Sequence, residues 1–194
     1  MIRAIVFDCF GVLYGASLEV LVAMAPAGKA QEVRDINSAK DYGYITNREY
    51  LAQIATALDM TPDEVNDVIR RRHLPNEALI AEVARLKTHY KIGLLSNIGD
   101  EVFETLFDGR ARELFDEVVL SYREGVAKPN PEAFRLIAQR LDVPPEECVM
   151  VDDIAANCEG AEVIGMHPIL HTNNALTLAR IAQLAEGNDH AGAA

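Results

Sequence analysis

Six polar side chains carry most of the chemistry this sequence can offer: Asp8, Ser96, Asn97, Lys128, Asp152 and Asp153. Asp8 closes the run Ile-Arg-Ala-Ile-Val-Phe, with Gly11 three residues on; Ser96 and Asn97 follow the apolar residues 91–95; Asp152 and Asp153 follow residues 148–151. Lys128 lies in the loop after residues 117–121. Short apolar runs without alternation suit strands buried on both faces, and open parallel sheets gather their ligands beyond the carboxyl ends of the strands. Alone, each residue has an ordinary reading. Asp8 can be a nucleophile, a metal ligand or only a helix cap. Asp152 and Asp153 can cap the next helix, Lys128 can be a solvated loop lysine, and Ser96-Asn97 can be a turn. All of them falling at strand ends argues for one shared crevice.

Asp8 and Asp153, with Asp152 behind, would repel one another in a dry crevice unless a cation sat between them. Oxygen ligands alone favour Mg²⁺ over zinc, with water and a phosphate completing the shell. Lys128 adds a point charge and Ser96 with Asn97 adds neutral donors, an oxyanion cradle around an atom attacked by Asp8. Phosphoryl transfer fits such a set.

The elements that must position these groups alternate. After residue 96 the pattern predicts helix at 100–107, strand at 117–121, helix at 131–141, strand at 148–151, helix at 157–164 closed by Gly165, strand at 169–171 and helix at 175–185. The tail from Gly187 is small and polar and is expected to fray. Between residues 14 and 89 only helical periodicity occurs. Thr46 with Glu49 and Thr61-Pro62 with Glu64 have capping-box spacing, two further helices are expected at 18–25 and 29–40, and another at 76–88 buries Leu79, Ile80, Val83 and Leu86. A crossover this long exceeds the dozen or so residues that a parallel connection needs. The expectation is an α/β protein: a parallel core from residues 1–14 and 90–194, with a helical lid from residues 15–89.

Composition narrows the possibilities. The 194 residues, 49% hydrophobic and 25% charged, suit one domain with a modest insertion. A net charge of -12 argues against nucleic acid as partner, and no apolar run reaches the roughly 20 residues of a membrane span. Cys9, Cys148 and Cys158 have no metal-type spacing and fit reduced thiols. With no signal segment ahead of Ile2, a cytoplasmic location is expected.

Four stretches, in order, resemble the haloacid dehalogenase (HAD) superfamily: Phe7-Asp8-Cys9-Phe10-Gly11-Val12-Leu13; Leu95-Ser96-Asn97; Gly125-Val126-Ala127-Lys128-Pro129-Asn130-Pro131 with Phe134; and Val151-Asp152-Asp153 with Asn157, Gly160-Ala161 and Gly165-Met166. The resemblance implies a Rossmann-like core with a helical C1 cap, and residues 42–50 look like a stretch common in such caps. It implies Asp8 as nucleophile and Lys128 as the charge-steadying catalytic group, with Ser96 and Asn97 binding the transferring group. Mg²⁺ would be held by Asp8, the Phe10 backbone carbonyl and Asp153, with Asp152 and Asn157 in support. The closest likeness is to the superfamily's small sugar-phosphate phosphatases; a small phosphorylated metabolite is the expected partner, and the protein is expected as monomer or homodimer.

One position departs. The superfamily's phosphatases carry a second Asp two residues after the nucleophile as acid and base, and here that residue is Phe10. Such a loss is worth about 10²- to 10⁴-fold in rate, unless the cap or the substrate lends the group. Dehalogenases of the superfamily have an aromatic residue there and use no metal, yet usually lack the Asp152-Asp153 type of pair. Arg34 or Arg48 could bind a haloacid carboxylate, although a solvated helix face suits both. A slow Mg²⁺-dependent phosphatase is the favoured expectation, ahead of a 2-haloacid dehalogenase and a non-catalytic phospholigand binder.

Overall fold

The computed structural model describes residues 1–187. Five strands form one parallel sheet: β1 (Ala4–Phe7), β2 (Lys91–Ser96), β3 (Glu117–Leu120), β4 (Cys148–Asp152) and β5 (His167–Leu170), in the order β3-β2-β1-β4-β5. The α/β class follows from strands whose two faces are both covered. On one face Ile5, Phe7, Ile92, Leu94, Val149 and Val151 join helical side chains such as Leu79, Phe103, Phe107 and Ile181. On the other, Ala4, Val6, Leu95 and Met150 meet Phe134, Ile137, Leu141 and Ala161.

The register explains why the chemistry converges. Ala4 lies level with Lys91 and with Cys148, so Phe7 is level with Leu94 and Val151. The Asp8 N–H continues the ladder onto the Val151 carbonyl at 2.9 Å. β1 sits at the centre of the sheet, and the tips of β2 and β4 flank it, so Asp8, Ser96 and Asp152 end at one edge.

The insertion is helical: α1 (Leu18–Met24), α2 (Ala30–Asp41), α3 (Asn47–Leu58) and α4 (Pro62–Arg72). Both anticipated capping boxes form. Thr46 Oγ1 accepts from the Glu49 N–H at 3.2 Å while Glu49 Oε2 accepts from the Thr46 N–H at 2.8 Å, and Thr61 with Glu64 repeats the arrangement. These four helices bury a separate apolar cluster that includes Leu21, Val33, Tyr50, Ile54, Leu58 and Val65. The two chain segments joining it to the sheet run side by side, with Tyr14 bridged to Pro75 and the Gly15 N–H bonded to the Leu74 carbonyl at 3.0 Å. The next helix, α5 (Glu77–Leu86), stands apart from them. The 15–89 lid groups it with the insertion, but its Leu79, Ile80 and Val83 belong to the sheet's cluster. Asn76 caps it and also donates to the Val12 carbonyl at 3.0 Å, pinning it beside β1.

The remaining helices are α6 (Asp100–Phe107), α7 (Ala111–Leu114), α8 (Ser121–Glu124), α9 (Pro131–Leu141), α10 (Ala155–Glu162) and α11 (Asn174–Glu186). Small differences from the periodicity have local causes. Ser121, read as strand, opens the single turn α8. β5 begins two residues earlier than its apolar pattern because it is an edge strand, where Pro168 is tolerated. Gly165 does adopt a left-handed conformation, φ +91°, after α10. The anticipated fraying beyond Gly187 lies outside the described residues. Among the described residues no helix is long and apolar enough to cross a membrane.

Candidate active site

Asp8 stands immediately beyond β1 and is buried, as are Ser96, Lys128, Asp152 and Asn157. The Lys128 ammonium lies 2.8 Å from Asp8 Oδ1 and 2.6 Å from Asp152 Oδ2. Its backbone is clamped as firmly: the Asn97 side chain donates to the Lys128 carbonyl and accepts from the Lys128 N–H, both at 2.9 Å. Asn97, expected to face the substrate, thus has both ends of its amide engaged in holding the lysine loop. Gly160 of α10 lets that loop close in, since a Cβ there would fall 2.4 Å from the Pro129 carbonyl oxygen.

The paired aspartates differ in their surroundings. Asp152 is saturated: Oδ2 accepts from Lys128, and Oδ1 accepts from the Asn157 side chain and the Ile154 N–H, each at 2.9 Å. Asp153 Oδ1, in contrast, is buried with no hydrogen-bond partner. Buried polar atoms are nearly always satisfied, so this orphan points to a group that the protein itself does not supply. Carboxylate oxygens of Asp8, Asp152 and Asp153 lie within 4.8 Å of one another. An all-oxygen set with one acceptor unsatisfied fits a hard cation. Gly11 makes room for it. Its φ of +82° suits glycine, and a Cβ there would lie 2.0 Å from Asp153 Oδ2.

Electrostatics follow from that crowding. Burial pushes the Asp8 carboxyl up to about 7, opposed by Lys128 and assisted by Asp152 and Asp153. Asp153 is raised to about 6 by burial and then by Asp152. For Lys128 burial acts downward, but Asp8 and Asp152 outweigh it, and its pKa is raised. A lysine between two carboxylates stays charged.

A cavity of about 380 Å³ opens above this cluster, and the insertion forms its other wall. Asp8, Phe10, Ser96, Asn97, Lys128 and Asp153 line the core side; Ser17, Asn37, Lys40, Asp41, Tyr50 and His73 line the cap side. The His73 ring stacks on Phe10 with centroids 4.1 Å apart, and its Nε2 lies 3.1 Å from Ser17 Oγ. None of the six cap residues is evident from helical periodicity. A lysine and an aspartate together at the end of α2 were the available signal. Arg34 instead pairs with Glu19 at 2.5 and 2.9 Å, Arg48 is exposed, and neither lines the cavity. Cys9 is buried in the apolar cluster.

Comparison with known proteins agrees with this geometry. The family model of haloacid dehalogenase-like hydrolases matches residues 2–165. Phosphatase MT3486 of Mycobacterium tuberculosis is 31% identical over 130 residues, covering 63% of this chain and 59% of that protein. An (S)-2-haloacid dehalogenase of Xanthobacter autotrophicus is 26% identical over 209 residues, covering 96% of this chain and 77% of the dehalogenase. Mouse Acyl-CoA dehydrogenase family member 10 is 43% identical over 58 residues, and the match spans only 5% of its length. Among solved structures, a HAD family enzyme of Bacteroides thetaiotaomicron in its magnesium complex superposes with a TM-score of 0.75 at 20% identity, covering 92% of this chain and 98% of its own. The aspartate cluster at the tips of β1 and β4, the lysine between them and the helical insertion above belong together, and the chain is a member of the haloacid dehalogenase-like hydrolase family.

Proposed function

We propose that the protein is a Mg²⁺-dependent phosphatase of small phosphomonoesters that works through an aspartyl-phosphate intermediate on Asp8. The observation that carries this reading is the unsatisfied, buried Asp153 Oδ1 beside Asp8. Asp8, the Phe10 carbonyl and Asp153 would hold the cation, which when bound neutralises phosphate charge and orients it. Among the described residues, Asp8 Oδ1 is the oxygen that receives Lys128 and the Cys9 N–H at 2.6 Å, which leaves Oδ2 for attack. Lys128 stabilises the negative oxygens of the transferring group, Ser96 offers a hydroxyl donor, and Asn97 keeps Lys128 in place. Asp152 and Asn157 fix Lys128 from behind. The cap, taken as the helices above the sheet, closes a cavity sized for a small phosphorylated metabolite.

The mycobacterial relative is named a phosphatase, which supports this reading. The second reading, dehalogenation of a small 2-haloacid, is favoured by Phe10 and by the dehalogenase relative. Phosphate release from 4-nitrophenyl phosphate and chloride release from 2-chloropropionate separate them, each measured with Mg²⁺ and with EDTA. Phosphate release that EDTA abolishes and Asp8→Asn removes is expected. Chloride release indifferent to EDTA overturns the proposal.

A further inference from the structure

A phosphatase with phenylalanine two residues after its nucleophile needs a proton for the leaving group and a base for the water, and the core wall of the cavity offers neither. Asp8 is the attacking group, Asp152 is saturated by Lys128, Asn157 and a backbone N–H, and Asp153 faces the metal position. The cap wall has two carboxyls, and Glu19 is engaged by Arg34 at 2.5 and 2.9 Å, a hydrogen bond that holds it below the usual carboxylate range, which leaves Asp41. Asp41 is the last residue of α2 and lines the same cavity as Asp8 and Lys128. Three features hold it there. Asn37, one turn earlier, donates to Asp41 Oδ2 at 2.9 Å, and Tyr50 of α3 in turn reaches Asn37 Oδ1 at 3.4 Å. The Asp41 carbonyl accepts from Ser121 Oγ at 2.5 Å, which ties this end of the cap to the tip of β3 across the crevice.

We propose, building on the phosphatase reading above, that Asp41 of the cap is the proton donor and acceptor that Phe10 cannot be. In the first half-reaction an Asp8 oxygen bonds to phosphorus as the ester P–O bond breaks, and the Asp41 proton passes to the departing oxygen. In the second, the Asp41 carboxylate takes a proton from the water attacking phosphorus. The Asp8–phosphorus bond then breaks, inorganic phosphate leaves, and both carboxyls return to their starting states.

The surroundings suit a carboxyl that must hold its proton near neutral pH. Burial pushes Asp41 up to about 7, with Lys40 and Lys128 pulling down and Asp8 pushing up. The negative end of the α2 dipole acts in the same upward direction. The groups facing it are Lys40 on its own helix, Asp8 and Lys128 from the core, and the Tyr50 hydroxyl from α3. His73, which also lines the cavity from the cap, is lowered to about 4 by burial and by Lys40. It is neutral at pH 7 and has no proton to spare.

Leaving-group dependence tests the assignment. A nitrophenolate departs without a proton, whereas a simple alkoxide such as that of methyl phosphate does not. Asp41→Asn keeps an oxygen for the Asn37 contact, and circular dichroism checks its fold. In this variant the pre-steady-state burst of one nitrophenolate per enzyme from 4-nitrophenyl phosphate is expected to survive, while its steady state slows because the phosphoenzyme waits for a base. Hydrolysis of methyl phosphate should fall about 10²- to 10⁴-fold. Equal effects on burst and on methyl phosphate, or no effect on either, overturn the proposal. So does the same split appearing in His73→Gln in place of Asp41→Asn. An Asp8→Asn enzyme that still gives the burst defeats the aspartyl-phosphate reading itself, which keeps the two failures distinct.

Discussion

Replacing Lys128 by methionine keeps the length of the side chain and removes its charge. The ammonium is buried between Asp8 and Asp152, at 2.8 and 2.6 Å. Removing one partner of a buried ion pair typically costs about 3–5 kcal/mol, because the other charge is left uncompensated. In a chain of this size that corresponds to a melting temperature lower by roughly 6–20 °C. The loss has a pH signature. Asp8 is already raised from 3.8 to about 7 in the folded protein, so the native state binds its proton more tightly than the unfolded chain does. The stability from that bound proton is complete below about 4 and disappears as pH rises through about 7. Lys128 is the main influence lowering Asp8, so Lys128→Met moves that carboxyl further up, and the deficit widens between pH 5 and pH 8. A cation among the three carboxylates opposes this, and Mg²⁺ at a hundred times its Kd returns about 2.7 kcal/mol. Thermal melts of both proteins at pH 5 and 8, with Mg²⁺ and with EDTA, measure all three effects. A penalty below about 1 kcal/mol, as for an exposed pair, or one equal at both pH values, would refute the electrostatic account of the site.

Two further outcomes are expected. Gly11→Ala forces a side chain into a φ of +82° and onto Asp153 Oδ2, so it should cost about 1–2 kcal/mol in backbone strain alone and weaken Mg²⁺ binding measured by calorimetry. Thr46→Ala removes one capping box at the edge of the cap and should lower stability by about 1 kcal/mol in urea titration, with no change in the burst from 4-nitrophenyl phosphate.

Much of this molecule is legible in its sequence because its signals are local. Buried runs such as 148–151 and capping pairs such as Thr61 with Glu64 depend on neighbours in the chain, and the strand-end placement of Asp8, Ser96, Lys128 and Asp152 follows from a parallel sheet. What the sequence conceals arises between distant segments. Asn97 reads as a donor for substrate until its amide is seen closed on the Lys128 backbone, 31 residues away. Asp152 and Asp153 are adjacent and chemically alike, and only the three bonds to one and the orphaned oxygen of the other distinguish them. Periodicity gives α5 an apolar stripe without saying which of two clusters receives it. Asp41 and His73 reach the crevice only because the insertion folds back over it.

The paired linkers at Tyr14 and Pro75 have a mechanical consequence. Two crossings bonded to each other act as one short strap, so the insertion can swing about them far more readily than it can slide. Ser121 grips the far end of α2, so a swing of the insertion away from the sheet would break the bond from Ser121 to the Asp41 carbonyl and remake it on closing. On the proposed phosphatase reading, Asp41 would meet the reaction centre with the lid shut, and a bound ester would be shielded from bulk water as its proton donor arrives.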